Sequence, residues 1–369
     1  MRTPKCPYFG TCGGCSYQDI DYDKQLKLKQ TQLKEAIRFE DIKIFSGEEF
    51  HYRNRMDFVF HAGGLGLREK GSWSSMVDIE QCVIANQELN RLLKEVKEFF
   101  KGVFYFDVKR RFGAYCYAVI RTPAGDSSVS IVINKKDKKI GNAAENIRKF
   151  SKITSANNVV MTLIPHNRNV SVSDEFKVIK RSEFLKTRFM EKTFYFPVQG
   201  FLQVNNKMTE RVYAYCYDLL KEQDLGQKHL LDLYGGIGTF GITNADLFKT
   251  VTVVENYAPA IQAAEMNLKE NNVRNVNLMA MDARRLVELN LPHPLAVIVD
   301  PPRSGMHPRT LAQLKELKAD PLIYVSCNVK HLAKDLEFLD NYRIESAGLF
   351  DMFPQTPHME AVVELVLKY

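Results

Sequence analysis

The carboxyl-terminal half of this chain of 369 residues repeats one pattern five times, and that repetition limits the folds open to it. Each repeat is a short apolar run, a polar or acidic residue at its end, and then a stretch with helical spacing. Leu230-Leu-Asp232-Leu-Tyr234 runs into Gly235-Gly236-Ile-Gly238-Thr-Phe-Gly241. Val251-Thr-Val-Val-Glu255 and Val276-Asn-Leu-Met-Ala-Met-Asp282 end in acids. Leu295-Ala-Val-Ile-Val leads into Asp300-Pro-Pro-Arg303-Ser-Gly305, and Leu322-Ile-Tyr-Val into Ser326-Cys327-Asn328. Strands alternating with helices predict an open α/β sheet, in which chemistry is done at the carboxyl ends of the strands. Asp300, Arg303 and Cys327 are thereby expected at one edge. Leu332, Leu336 and Leu339 follow at helical spacing, which puts Cys327 at a strand-to-helix turn.

Cys327 is the candidate nucleophile. An isolated cysteine is most often a packing residue, and an acid in a loop a surface carboxylate. Here a further segment, Phe353-Pro-Gln-Thr-Pro-His358-Met-Glu360, brings a carboxylate on a proline-punctuated loop towards the same pocket. The set Asp300-Pro-Pro-Arg-x-Gly305, Ser326-Cys-Asn328 and His358-x-Glu360 resembles the RNA 5-methyluridine methyltransferases. Those enzymes use S-adenosylmethionine to methylate C5 of uridine in ribosomal or transfer RNA.

The resemblance implies a Rossmann-like class I methyltransferase domain and assigns roles within it. Carbon 5 of uracil is too weak a nucleophile to take a methyl group directly, so the Cys327 thiolate adds to C6 first and Glu360 later removes the C5 proton. Asp300 would hold the uracil edge, Arg303 would steady the oxyanion or the ring, and Gln203 would sit between cofactor and substrate. Tyr234, Phe353 and Phe201 are aromatic residues available to an extruded base. The cofactor positions map onto Gln203, Tyr234, Glu255, Asp282 and Asp300, with Gly235, Gly236 and Gly238 forming the loop beneath it. Thr239 stands where several relatives have asparagine, and Val329 where the family more commonly has proline.

Competing classes fit less well. Gly236-x-Gly238-x-x-Gly241 also matches the dinucleotide fingerprint, but Asp232-x-x-Gly-Gly-x-Gly is the usual methyltransferase form. A cytosine-C5 methyltransferase would place a second cysteine after the proline of the fourth strand motif, and an amino-group methyltransferase an aromatic residue; Arg303 stands there instead. A binding module with an inactive cofactor fold is disfavoured by an intact Cys327, Glu360 and Asp300.

The amino-terminal half has a different character. Residues 1–195 carry 34 Lys and Arg against 23 Asp and Glu, whereas residues 196–369 carry 17 against 21. The surplus suits a phosphate-binding face, densest at Arg53-Asn-Arg55, Lys109-Arg110-Arg111 and Lys135-Lys136-Asp-Lys138-Lys139. Seven cysteines are too few and too unevenly placed for a disulfide scaffold. Cys6-x5-Cys12-Gly-Gly-Cys15 gathers three thiols and calls for a metal centre, with Cys82 available as the fourth ligand. Spacing alone leaves zinc and iron-sulfur open. The family resemblance implies a [4Fe-4S] cluster on Cys6, Cys12, Cys15 and Cys82. Cys116 and Cys216 are expected to be packing residues.

Tyr22, Leu26, Leu33 and Ile37 predict a helix, Met56–Phe60 and Leu67-Arg68 a hairpin, and Tyr115–Arg121, Val129–Ile133 and Val159–Ile164 strands around a helix at Asn142–Phe150. The chain is thus expected to divide into residues 1–195, a mixed α+β iron-sulfur and RNA-binding region, and residues 196–369, the catalytic domain. With no signal peptide and no long apolar run, a cytoplasmic monomer without membrane contact is expected. Some relatives add an amino-terminal RNA-binding β-barrel. A chain of this length that starts directly with the cysteines and carries Leu349-Phe-Asp-Met-Phe-Pro near its end resembles the branch acting on large-subunit ribosomal RNA, with transfer RNA the alternative substrate.

Overall fold

The computed structural model describes residues 2–107, 109–138 and 140–368. It contains two compact units. One comprises Met1–Asp21, Glu48–Thr187 and Pro197–Asn206; the other comprises Tyr22–Gly47, Arg188–Phe196 and Lys207–Tyr369. The units do not follow a single division at residue 195. The reason is hydrophobic: Leu33, Ile37 and Ile42 share a buried core with the sheet residues Leu231, Val297, Tyr324 and Val363, so the segment after the first cysteines packs with the carboxyl-terminal half.

Among the described residues, the second unit is built on eight strands: β1 (Ile42–Phe45), β2 (His229–Leu233), β3 (Thr250–Glu255), β4 (Val276–Ala280), β5 (Leu295–Val299), β6 (Leu322–Ser326), β7 (Tyr342–Phe350) and β8 (Glu360–Leu367). Their spatial order is β1-β7-β8-β6-β5-β2-β3-β4. Strands β2 to β6 pair in parallel, as the continuous apolar runs require of strands buried on both faces. The order reverses beside β2, which pairs with both β3 and β5. That reversal opens a crevice at the carboxyl edge. β8 runs antiparallel to both its neighbours, β6 and β7.

Helices α1 (Tyr22–Ile37), α2 (Asn206–Lys221), α3 (Thr239–Thr243), α4 (Ala258–Glu270), α5 (Pro308–Leu317) and α6 (Val329–Phe338) accompany the sheet. The turn from β6 into α6 is fixed at its amino end by Asn328, whose side chain accepts from the Lys330 N–H. Behind it, the hydroxyl of the fully buried Tyr324 donates to Asp335 Oδ2 at 2.6 Å.

Among the described residues, the first unit carries a seven-stranded sheet in the order 76–78, 64–68, 55–61, 115–121, 128–134, 158–164, 176–180. Its strands are antiparallel except 128–134 with 158–164, which are joined through the helix Ile140–Ile153. The expected hairpin, strands and helix are all present, and the unit is α+β. Of the basic groups, Arg55 is engaged by Asp57 at 3.0 Å and Lys135 by Glu175 at 2.6 Å, whereas Lys109, Arg110 and Arg111 are exposed. Lys139 lies outside the described residues. No helix among the described residues is long and apolar enough to cross a membrane.

Replacing Tyr324 by Phe strips the buried Asp335 carboxylate of a donor, leaving it the Met306 N–H at 3.3 Å. Tyr324→Phe is expected to cost about 1–3 kcal/mol of stability, read from the midpoint of urea unfolding.

Candidate active site

The loop after β2 lies close against neighbouring side chains. A Cβ on Gly235 would stand 2.5 Å from Val253 Cγ1 and 2.9 Å from Asp232 Oδ2, so only glycine fits. Asp232 itself is fully buried, accepts from the Gly241 N–H at 2.8 Å, and is pushed up to about 7 by burial. It ties the loop to α3. Gly238 caps the start of that helix at a φ of 80°, and a Cβ on Gly236 would meet nothing within 4 Å, leaving open space above the loop.

Glu255, at the end of β3, is held by three amides: Gly236 N–H at 3.1 Å on one oxygen, and Asn256 and Tyr257 N–H at 2.8 Å on the other. Asp282, just beyond β4, caps a 3-10 turn by accepting from Arg284 N–H. It also pairs with the Arg284 guanidinium, which holds its carboxyl down at about 2. Tyr234 sits at a φ of 65°, which turns the chain sharply out of β2. Asp300 donates its N–H to Leu233 O at 3.3 Å, bridging the strand ends at the point where the sheet order reverses.

The antiparallel strand places the second carboxylate. Ser326 pairs with Ala361, so Glu360, the first residue of β8, lies next to the turn that carries Cys327. Glu360 is 1% exposed and neither carboxylate oxygen has a hydrogen-bond partner among the described residues. Burial, and then the nearby Asp300, raise its pKa well above the ordinary carboxylate value. Asp300 is raised to about 7 by burial. The half-buried Cys327 thiol is pushed up to about 11 by burial, then by Glu360 and Asp300, with Arg303 opposing.

Two residues that the sequence left without roles organise this edge. Asn328 Nδ2 donates to Arg303 O at 2.8 Å, and Arg303 Nη2 lies 3.4 Å from His358 Nδ1. They tie the Pro-Pro-Arg turn to the Cys327 turn and to the loop before Glu360. Their polar character next to the motif was the available signal. Gln203 belongs to the other compact unit, where its carbonyl accepts from Asn54 Nδ2 at 3.1 Å.

In the first unit the folding brings Cys82 into electrostatic contact with the amino-terminal thiols. Cys15 is raised to about 12 by burial, with Cys82, Cys6 and Cys12 adding to it, and Cys82 feels Cys12 and Cys6 in turn. Among the described residues, however, no three His, Cys, Asp or Glu side chains form a group able to hold a metal ion. An iron-sulfur domain is therefore not shown. Cys116 and Cys216 are buried.

The sequence pattern of the tRNA (uracil-5-)-methyltransferases matches residues 21–368. The chain belongs to this family of RNA uracil-C5 methyltransferases. It is 32% identical over 98% of its length to the tRNA (uracil(54)-C(5))-methyltransferase of Pyrococcus abyssi, covering 86% of that protein. An uncharacterized RNA methyltransferase of Clostridium tetani is 31% identical over 98% of this chain and 83% of its own. The crystal structure of the Pyrococcus abyssi tRNA (uracil-54, C5)-methyltransferase with S-adenosyl-L-homocysteine superposes with a TM-score of 0.81 at 29% identity, over 96% of this chain and 86% of that one.

With its pKa raised to about 11, resting Cys327 is expected to be a thiol at neutral pH. Its alkylation by iodoacetamide, followed by mass spectrometry of the peptide, should rise about tenfold per pH unit from roughly pH 7 to 9. A plateau in that range would contradict a thiol raised to about 11.

Proposed function

We propose that the chain methylates C5 of a uridine in transfer RNA through a covalent Cys327–C6 adduct, with Glu360 as the base. The observation that carries this is the β6–β8 register, which sets a buried carboxylate, without a hydrogen-bond partner among the described residues, beside the Cys327 turn. A base that accepts a carbon-bound proton needs just such an acceptor, free of competing donors.

S-adenosylmethionine supplies an electrophilic methyl group and a positive sulfur. The open space over Gly236, the fixed Glu255 carboxylate, and Tyr234 and Asp282 at adjoining strand ends are the groups to hold it. Asp282 would bind while paired with Arg284.

Cys327 gives up its proton to solvent, and its sulfur adds to C6 while the C5–C6 double-bond electrons move towards O4, making C5 nucleophilic. Asp300 and Arg303 orient the ring and steady the developing oxyanion. After C5 has gained the methyl group, Glu360 takes the C5 proton. The electrons of that C–H bond form the C5–C6 double bond, the C6–S bond breaks, and Cys327 leaves as thiolate.

Transfer RNA is favoured over ribosomal RNA because the Pyrococcus relatives are tRNA (uracil(54)-C(5))-methyltransferases. The ribosomal expectation rests on chain length, the amino-terminal cysteines and residues 349–354, none of which is a contact with RNA seen here. The exposed Lys109, Arg110 and Arg111 are proposed phosphate contacts. For the four thiols, the donor set suits iron-sulfur ligation: Cys12, Cys15 and Cys82 each feel other thiols of the set, and amides of Gly14, Ile84 and Ala85 are directed at Cys12 and Cys82. We propose that they hold a structural [4Fe-4S] cluster.

With labelled methyl donor, label is expected in unmodified transfer RNA, and Cys327→Ala should lose turnover and the covalent trapping of 5-fluorouridine RNA. Label entering ribosomal RNA alone would overturn the substrate. Anaerobic purification should give bound iron and sulfide with a broad visible absorption band that Cys82→Ala loses; zinc in their place would refute the cluster.

A further inference from the structure

Helix α1 is charged along most of its length, yet two of its polar side chains point into the protein. Lys29 is 1% exposed, and its Nζ donates to Asp351 Oδ1 at 2.5 Å and to Phe353 O at 3.1 Å. One turn earlier, the fully buried Gln25 donates from Nε2 to Gln355 Oε1 at 3.1 Å and accepts from the Gln355 N–H at 3.0 Å. These partners all lie in the loop between β7 and β8, the loop that ends at Glu360.

The loop has a conformation that needs holding. Gln355 is buried at a φ of 69°, a backbone region that residues other than glycine seldom adopt. Thr356 Oγ1 donates to Phe353 O at 2.8 Å and accepts from His358 N–H at 3.2 Å, which folds the loop on itself. Asp351 donates its N–H to Phe45 O at 2.9 Å at the other end. An apolar contact between helix and loop would stabilise at least as well as a buried ion pair, but without fixing direction. Ion pair and paired amides instead define where the loop stops.

We propose that Lys29 and Gln25 are positioning residues that set Glu360 for removal of the C5 proton. This rests on the assignment of Glu360 as the base. Because misplacement by about 1 Å can cost about 10²-fold, loosening the clamp slows release of the methylated adduct by about tenfold or more, while leaving Cys327 addition and methyl transfer nearly intact.

The test follows Glu360→Gln, Lys29→Met and Gln25→Met with labelled methyl donor and whichever unmodified transcript accepts the methyl group. Rapid quenching separates covalent methylated protein–RNA adduct from released RNA. Glu360→Gln is expected to accumulate adduct, and both clamp variants to accumulate it to a lesser degree. Gln25→Met leaves no unpaired charge, so it serves if Lys29→Met does not fold. Adduct formation and release falling in equal proportion in the clamp variants, or both staying at the parent level, would overturn the clamp while Glu360→Gln still traps adduct. If Glu360→Gln itself traps none, the base assignment fails and the clamp falls with it.

Discussion

One antiparallel strand decides the chemistry that this sheet can hold. The parallel strands β2 to β6 each present their carboxyl ends to the crevice, so a side chain from one more parallel strand would have arrived there from a following loop. β8 runs the other way, and its first residue reaches the same edge from within the hydrogen-bonded ladder. Glu360 is thereby held by backbone pairing with Phe350 on one side, while Ala361 pairs with Ser326 on the other. Strand register, once the hydrophobic faces are fixed, does not slip by one residue without turning the core outwards.

Burial gives that edge its electrostatic character. Cys327 feels both Glu360 and Asp300, Glu360 feels Asp300, and each would be charged more readily in water. Arg303 offsets part of the repulsion, and Asn328 and His358 tether the arginine turn to the neighbouring loops. Asp282 is the contrast: partly open to solvent and paired with Arg284, it stays ionised.

Much of the second unit was legible in the chain itself. Five apolar runs with polar ends became five parallel strands, and Cys327 stands at a strand-to-helix turn. The acids after the strands were also readable, though Asp282 as a helix cap paired with Arg284 depended on a neighbour two residues on. The partition of the chain was not readable at α1. Its apolar stripe specifies that a core must cover it, and says nothing about which core; contact with Leu231 and Tyr324 was settled only on folding. Nothing local to α1 shows what Gln25 and Lys29 pair with, because their partners lie more than 300 residues away.

The sequence by itself determined the strand and helix alternation, the glycine loop and the presence of a cysteine and carboxylates at the strand ends, since these depend on local periodicity and side-chain chemistry. Only the tertiary structure decided that β8 enters the sheet reversed, that Glu360 is buried with no hydrogen-bond donor among the described residues, and that α1 reaches the loop before it. Those outcomes arise from pairing and burial between segments far apart in the chain, where no local pattern carries the information.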